Sequence, residues 1–449
     1  MSKLQDLLPL PANKFKYFTE LILGEGWGEG PRKFPISPLN LIMTNKKRFI
    51  FFTLLIFTLG QIATDLYIPS LTYIANYFGT NTHMVQLSIT TYVLSAAFSQ
   101  PFYGIVSDGY GRKPVLFIGT MVAIIGTIMC IYAHTIISFL AGRFVQGLGA
   151  GVGTTVCRAM MRDLFKGHEL ILTNSHLAVA NISLLIIAPV MGGYLSHYIN
   201  WQACFVLLLI IASVNLISIL FILPETSTNH SKRNLHPKRV IRNIKSLLFS
   251  RNFQIYSFCG FLTFGGVIAW ATAGPILLNH YYHVSAVHIG WIYFIVGLSY
   301  ILGNIFNRQS VYRVGLNKMI RIGFTIQLIN GLILMLVFYL QIPNIIAVVI
   351  PVCFYMFAAS LIAPNASVGA INDFTKIAGT ASAVLSTIQS MGAIFFSFII
   401  ALNHSQDLIL IASCFVGIGG IALVVDYFFN PHDDEEFRSK FFDSDETIK

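Results

Sequence analysis

Apolar residues in this chain fall in blocks of about 20, the length a helix rising 1.5 Å per residue needs to cross a hydrocarbon core of about 30 Å. Read between polar breaks, the blocks predict spans near 49–71, 85–106, 114–134, 137–160, 170–195 and 201–223. After a gap come six more, near 253–279, 288–306, 319–340, 344–366, 378–402 and 408–429. The pattern predicts an all-α membrane protein of 12 transmembrane helices. Its expected divisions are an N-terminal extension (1–48), a six-helix bundle (49–224), a basic linker (225–252), a second six-helix bundle (253–429) and an acidic tail (430–449).

The gap between the two sets carries Lys232, Arg233, Lys238, Arg239, Arg242, Lys245 and Arg251, with no acid after Glu225. It is expected to be cytoplasmic, which puts both termini in the cytoplasm and Lys and Arg on the even-numbered loops and tails. The predicted outer loops, around 72–84, 135–136, 196–200, 280–287, 341–343 and 403–407, contain neither residue. Arg143 alone among the basic residues lies away from the inner face. The net charge of +10 therefore mainly encodes orientation, and a nucleic-acid partner is not expected.

Composition agrees with a bilayer as solvent. Of 449 residues 55% are hydrophobic and 11% charged, with a mean hydropathy of +0.70, whereas soluble chains carry about 25% charge. The six cysteines, Cys130, Cys157, Cys204, Cys259, Cys353 and Cys414, lie in or beside apolar blocks without CxxC spacing, as small buried residues do. The first apolar block begins too far in and runs too long for a cleaved signal, so an uncleaved first span is expected. Residues 1–42 are broken by Pro9, Pro11, Pro31 and Pro35. They read either as an interfacial segment or as residues upstream of a true start at Met43. The tail after Pro431 reads as a mobile cytoplasmic end.

Three places carry candidate chemistry. Between spans 2 and 3, Gly104, Asp108, Gly111, Arg112 and Lys113 combine turn glycines with charges able to latch neighbouring helices, as a two-state carrier requires. Arg143 sits in span 4 ahead of Gln146 and Gly147, where a charge costs at least ~2.5 kcal/mol unless it faces an acid, carbonyls or water. The alternative is that it snorkels outward. Asp65 lies inside span 1, at a depth near that of Arg143. Burial raises and a cation lowers a carboxyl pKa, so the two form a candidate proton-coupling site, with a static ion pair as the alternative. In span 5, Pro189, Gly192 and Gly193 allow a kink and close helix approach.

The string from Gly104 to Pro114 resembles the loop 2-3 signature of the major facilitator superfamily, with Val106 and Gly109 departing from it. Arg143 to Gly151 matches that family's R-x-x-Q-G-x-G-A-G motif. Ala188 to Gly193 is similar to the antiporter-associated G-P-x-x-G-G motif, with Ala188 for glycine. The strings TDLYIPSL (64–71), RAMMRDLFKG (158–167), LPET (223–226), APNA (363–366) and AGTASA (378–383) resemble the bicyclomycin/chloramphenicol-resistance branch of the 12-span drug:proton antiporters. Gln202 departs from the usual Trp-Arg pair. The resemblance runs from about Met43 to Asn430 and is thin in spans 7 to 9. It implies two six-helix halves, each of inverted three-helix repeats, rocking about a midplane site. It further implies proton-driven export across a bacterial inner membrane, by a monomer whose partners are a small-molecule substrate, protons and lipid.

Polar and aromatic residues within the spans are the substrate-binding candidates: Tyr67, Tyr92, Gln146, Asn181, Trp270, Tyr300, Asn365 and Gln389. No Walker loop, HExxH or GxSxG appears, so no enzyme activity, cofactor or metal is expected. His280, His283 and His288 read as interfacial polar residues ahead of a metal or pH sensor. Two other functions stay open: a dedicated carrier for one compound, such as a siderophore exporter or an importer, and a non-transporting membrane receptor or enzyme.

Overall fold

The computed structural model describes residues 46–165, 167–227, 237–374, 377–402 and 408–429. The expected extension up to residue 45 and the acidic tail from residue 430 lie outside the described residues. Among the described residues every regular element is helical. The order is α1 (Lys46–Asp65), a 3₁₀ turn (Ile68–Ser70), α2 (Leu71–Phe78), α3 (Thr82–Tyr110), α4 (Arg112–Ile131), α5 (Ile136–Leu164), α6 (Gly167–Tyr198) and α7 (Gln202–Phe221). It continues with α8 (Pro237–Leu248), α9 (Arg251–Tyr282), α10 (Ala286–Val314), α11 (Leu316–Tyr339), α12 (Ile345–Asn372), α13 (Ala378–Leu402) and α14 (Leu408–Phe429).

Ten runs are long and apolar enough to cross a membrane by length and composition, with Arg48–Phe78 counted as one. The other two long helices, α3 and α6, have 29 and 32 residues. Both exceed the ~20 residues a span needs.

Two segments depart from the expectation of loops. Residues 72–78, expected in an outer loop, belong to α2, and part of the basic linker forms α8. The first span is thereby longer than 49–71 and is interrupted. Helix α1 ends at Asp65, and the 3₁₀ turn containing Pro69 precedes α2. Proline has no N–H to donate and clashes with the carbonyl four residues back, so the helix breaks there. Asp65 consequently lies 13 residues before the end of α2, deeper than counting from residue 71 suggests.

Successive helices alternate in direction. One end of the bundle, with the turns at 79–81, 132–135, 199–201, 283–285 and 340–344, carries no Lys or Arg and is called the neutral end; the other is the basic end. Local chemistry sets the turns. At the start of α5, Thr135 and Ser138 form a reciprocal capping box, and Asn344 accepts from the Ile346 amide at the start of α12. Prolines 101, 189, 275, 351 and 364 are inside helices, where neighbouring helices in a bilayer can re-satisfy the freed backbone groups.

Packing follows the two halves of the chain. Side chains from α9 to α14 make one large apolar cluster, which Ile68 joins from the first half. Side chains from α1 to α7 make two more, and Ile276 of α9 joins the one nearer the neutral end. A fourth, smaller cluster seats Leu247 of α8 against Phe253, Ala370, Ala381 and Leu385. Between α4 and α5 the backbones nearly touch: a Cβ on Gly149 would lie 2.1 Å from the Ala123 nitrogen. Small residues at such seams let van der Waals packing stand in for the hydrophobic effect that lipid cannot supply.

The two halves meet at the neutral end. Gln86 of α3 donates to the Thr272 carbonyl of α9 at 3.2 Å, and Thr90 is hydrogen-bonded to Ser397 of α13 at 2.9 Å. Gly193 of α6 faces the Ala286 carbonyl, and Gly290 of α10 faces that of Pro189, so closely that Cβ atoms would lie 2.5 and 2.7 Å from them.

Candidate functional site

The centre of the first half is Arg143, carried by α5 and with none of its surface exposed. Its Nη1 donates to the Ala63 carbonyl of α1 at 3.1 Å and to Oε1 of Gln146 one turn on. Gln146 in turn donates to Thr127 Oγ1 of α4 at 2.9 Å. The guanidinium carbon lies 4.3 Å from the Tyr67 ring centroid and 4.2 Å from that of Tyr92, a cation–π geometry worth about 2 kcal/mol when desolvated. The rings are held in turn: Tyr67 shares a 2.9 Å hydrogen bond with Ser88, and Tyr92 donates to the Gly60 carbonyl at 2.8 Å. Two donors remain over. Arg143 Nε and Nη2 are buried without a hydrogen-bond partner, and a buried unmet donor costs about 1–3 kcal/mol, more when charged. Arg143 thus turns into the protein, not out to the membrane surface, and keeps capacity for another acceptor.

Asp65 closes α1 two residues beyond Ala63 and is 4% exposed. Its Oδ2 accepts from Gln61 Nε2 at 2.7 Å. Among the described residues no ion pair joins it to Arg143, whose hydrogen bonds go to Ala63 and Gln146. Tyr92, from α3, and Tyr293, from α10 in the second half, both lie within coulombic range of the carboxylate.

A second polar cluster lies at the basic end. Gly111 turns the chain between α3 and α4 at φ 103°, which favours glycine. The Arg112 guanidinium then reaches Asp108 at 2.5 Å, Ser107 at 2.8 Å and Asp163, at the end of α5, at 3.0 Å. Glu225, beyond α7, accepts from the Arg112 and Lys113 amides at 2.9 and 3.0 Å, so a carboxylate caps the positive end of α4. Lys113 Nζ donates to the Leu220 carbonyl at 2.9 Å. Asp108, Gly111, Arg112 and Lys113 therefore bind α3, α4, α5 and α7 together within the first half. Gly104 lies on α3 facing Thr155 of α5.

Asp163 and Glu225 were absent from the sequence-derived site. They stand in the strings 158–167 and 223–226, but nothing in spacing says that two acids 62 residues apart meet one arginine. Gln61 and Thr127 escaped for the same reason.

The eight substrate-binding candidates are dispersed. Tyr67, Tyr92 and Gln146 surround Arg143. Trp270 stacks on Tyr293 with centroids 5.9 Å apart, and its Nε1 is buried without a partner. Asn365 donates to Asn307 Oδ1 at 2.8 Å, Gln389 lies against Gly260, and Tyr300 is half-buried. Asn181 belongs to α6, but its side chain lies outside the described residues. Pro189, Gly192 and Gly193 sit on the face of α6 that meets both the break after α1 and α10: Gly192 faces the Leu66 carbonyl, where a Cβ would lie 1.6 Å away.

Long apolar helices around a buried cation and a buried acid define a multi-pass membrane protein with a polar interior. The chain matches the Major Facilitator Superfamily model over residues 50–397 and belongs to that family. It is 29% identical to a bicyclomycin resistance protein homolog of Haemophilus influenzae, over 80% of this chain and 90% of that one. To multidrug resistance protein D of Escherichia coli it is 26% identical, over 76% and 84%. A solved structure of a D-xylose-proton symporter shares the fold at a TM-score of 0.72 and 18% identity, covering 85% of this chain and 98% of the other.

Proposed function

We propose that this protein is a proton-coupled exporter of drug-like or metabolite-sized molecules, working by alternating access as a monomer in the bacterial inner membrane. Helices α3 and α6 would complete twelve spans, six in each half, with the basic end and both termini in the cytoplasm. The names of the similar resistance proteins support export of drug-like compounds. The observation that carries the reading is the buried pair of unlike ionisable groups, Asp65 and Arg143, which approach the same strand of α1 backbone without being spent on each other. A permanent structural ion pair would have closed that contact, because leaving charges unpaired in low dielectric is costly.

In this state the halves touch at the neutral end, so access would run from the cytoplasm. Substrate entering there would meet Asp65 beside Tyr92 and Tyr293. Opening of the neutral end would expose the acid to external protons. If one site cannot hold proton and substrate together, inward proton flow expels substrate. Gly193 and Gly290 would form the seam that closes and parts, and Arg112 with its acids would keep α3, α4, α5 and α7 moving as one body.

The test is flux. Proteoliposomes with an imposed pH gradient should move radiolabelled bicyclomycin against its gradient, and Asp65→Asn should leave only downhill exchange. Uphill movement by Asp65→Asn equal to wild type would refute the coupling role. A protein whose flux ignores the pH gradient would not be a proton-coupled carrier.

A further inference from the structure

The two halves treat the charge at their basic ends differently. Residues 46–227 contain nine Lys and Arg and five acids; residues 228–402 contain twelve Lys and Arg and one acid, and Asp407, Asp426 and the acids of the tail follow them. In the first half the acids are used at close range, on Arg112 and on the start of α4. In the second, Arg242, Lys245, Arg251, Arg308, Arg313, Lys318 and Arg321 are exposed, and so is Asp373. Asn252 donates to it at 3.0 Å.

These cations share one surface. Helix α8 is anchored there by Leu247, fully buried between α9, α12 and α13. Tyr256 of α9 donates to Asn317 at the start of α11 at 2.8 Å, which ties the turn bearing Arg313 and Lys318 to the same end. Large apolar groups border the charges: Phe249 is 76% exposed with Lys245 Nζ 5.8 Å from its ring, Tyr312 is 63% exposed and Leu248 44%. Amphipathic basic helices with bordering aromatics seat where headgroups meet acyl chains, and juxtamembrane cations are drawn to anionic lipid. Orientation by positive charge accounts for cations at this end but not for the exposed apolar groups that border them.

We propose that the basic end of the second half, formed by α8 and the α10–α11 turn, is a docking surface for anionic phospholipid headgroups. The inference does not depend on substrate or direction of transport.

The full-length protein reconstituted with spin-labelled phosphatidylglycerol and spin-labelled phosphatidylcholine tests it. Phosphatidylglycerol should be preferred by roughly three-fold or more at low salt, with the preference falling as salt rises. The combined variant Arg242→Gln, Lys245→Gln, Arg308→Gln and Lys318→Gln should lose it. The charge-preserving pair Arg242→Lys and Arg308→Lys should keep it, which separates loss of charge from loss of fold. Equal phosphatidylglycerol preference in wild type and the four-charge variant would overturn the proposal, as would equal preference for both lipids in wild type.

Discussion

Gly111, between α3 and α4, and Gly315, between α10 and α11, hold nearly the same backbone, at φ 103° and ψ 157° against φ 94° and ψ 155°. Each follows a helix of 29 residues. Their surroundings diverge. At the first turn an arginine, two aspartates, a glutamate and a lysine join four helices. At the second, Leu316 and Asn317 follow the glycine, and a neutral hydrogen bond from Tyr256 ties the turn to α9. The same contrast recurs deeper. Where α5 buries Arg143 in a cage of two tyrosines, α12 buries Asn365 against Asn307. At this repeated backbone charged groups join the helices of one half, and in the other a neutral amide takes a hydrogen bond beside the exposed Arg313 and Lys318. Since charged hydrogen bonds are about twice as strong as neutral ones, the first half is expected to be the stiffer body and to hold the ion-sensitive chemistry.

Replacing Arg143 with Met should lower pH-driven transport about 30-fold, matching the roughly 2 kcal/mol of the desolvated cation–π cage it removes. Asn365→Ala, which removes the buried amide of α12, should change the same proteoliposome flux by less than about three-fold. Equal losses would erase the functional difference between the halves. The next largest effect is on stability. Arg112→Met strands Asp163 and Asp108 and should cost about 2 kcal/mol, seen as a lower thermal midpoint in detergent. Gly111→Ala and Gly315→Ala should each cost about 1–2 kcal/mol and by similar amounts, because the strain of a left-handed φ is a backbone property that the two turns share. Unequal costs would show that the turns are not equivalent even in the main chain. Asn317→Ala should be the mildest, about 0.6 kcal/mol, the scale of a neutral interhelical hydrogen bond in a membrane.

Much of the helical framework was legible in the sequence, because an apolar run long enough to cross lipid is a local property. Residues 72–78 misled: Thr72, Tyr73, Asn76 and Tyr77 look like loop chemistry. They are helical because Ile74 and Ala75 are buried, while Tyr77 and Phe78 pack on Trp201 with centroids 5.3 and 5.7 Å away. The candidate latch was legible in its first half only. Its arginine and turn glycine announce themselves over a few residues, but Asp163 and Glu225 reach it from helix ends far along the chain. Asp65 and Arg143 stood out as rare charges in oil. Their partners did not, since a tyrosine facing a guanidinium and one facing lipid read alike.

By itself the sequence determined where apolar length suffices for a span and which end of the bundle is basic, for both depend on neighbouring residues and on water's refusal to release charge cheaply. Only the tertiary structure decided that Gln61 holds Asp65, that Ala63, Gln146, Tyr67 and Tyr92 hold Arg143, and that Gly193 and Gly290 bring the halves together. Those contacts join helices whose order along the chain says nothing of which faces meet. In a bilayer, where lipid is as apolar as leucine, close packing and hydrogen-bond geometry select them.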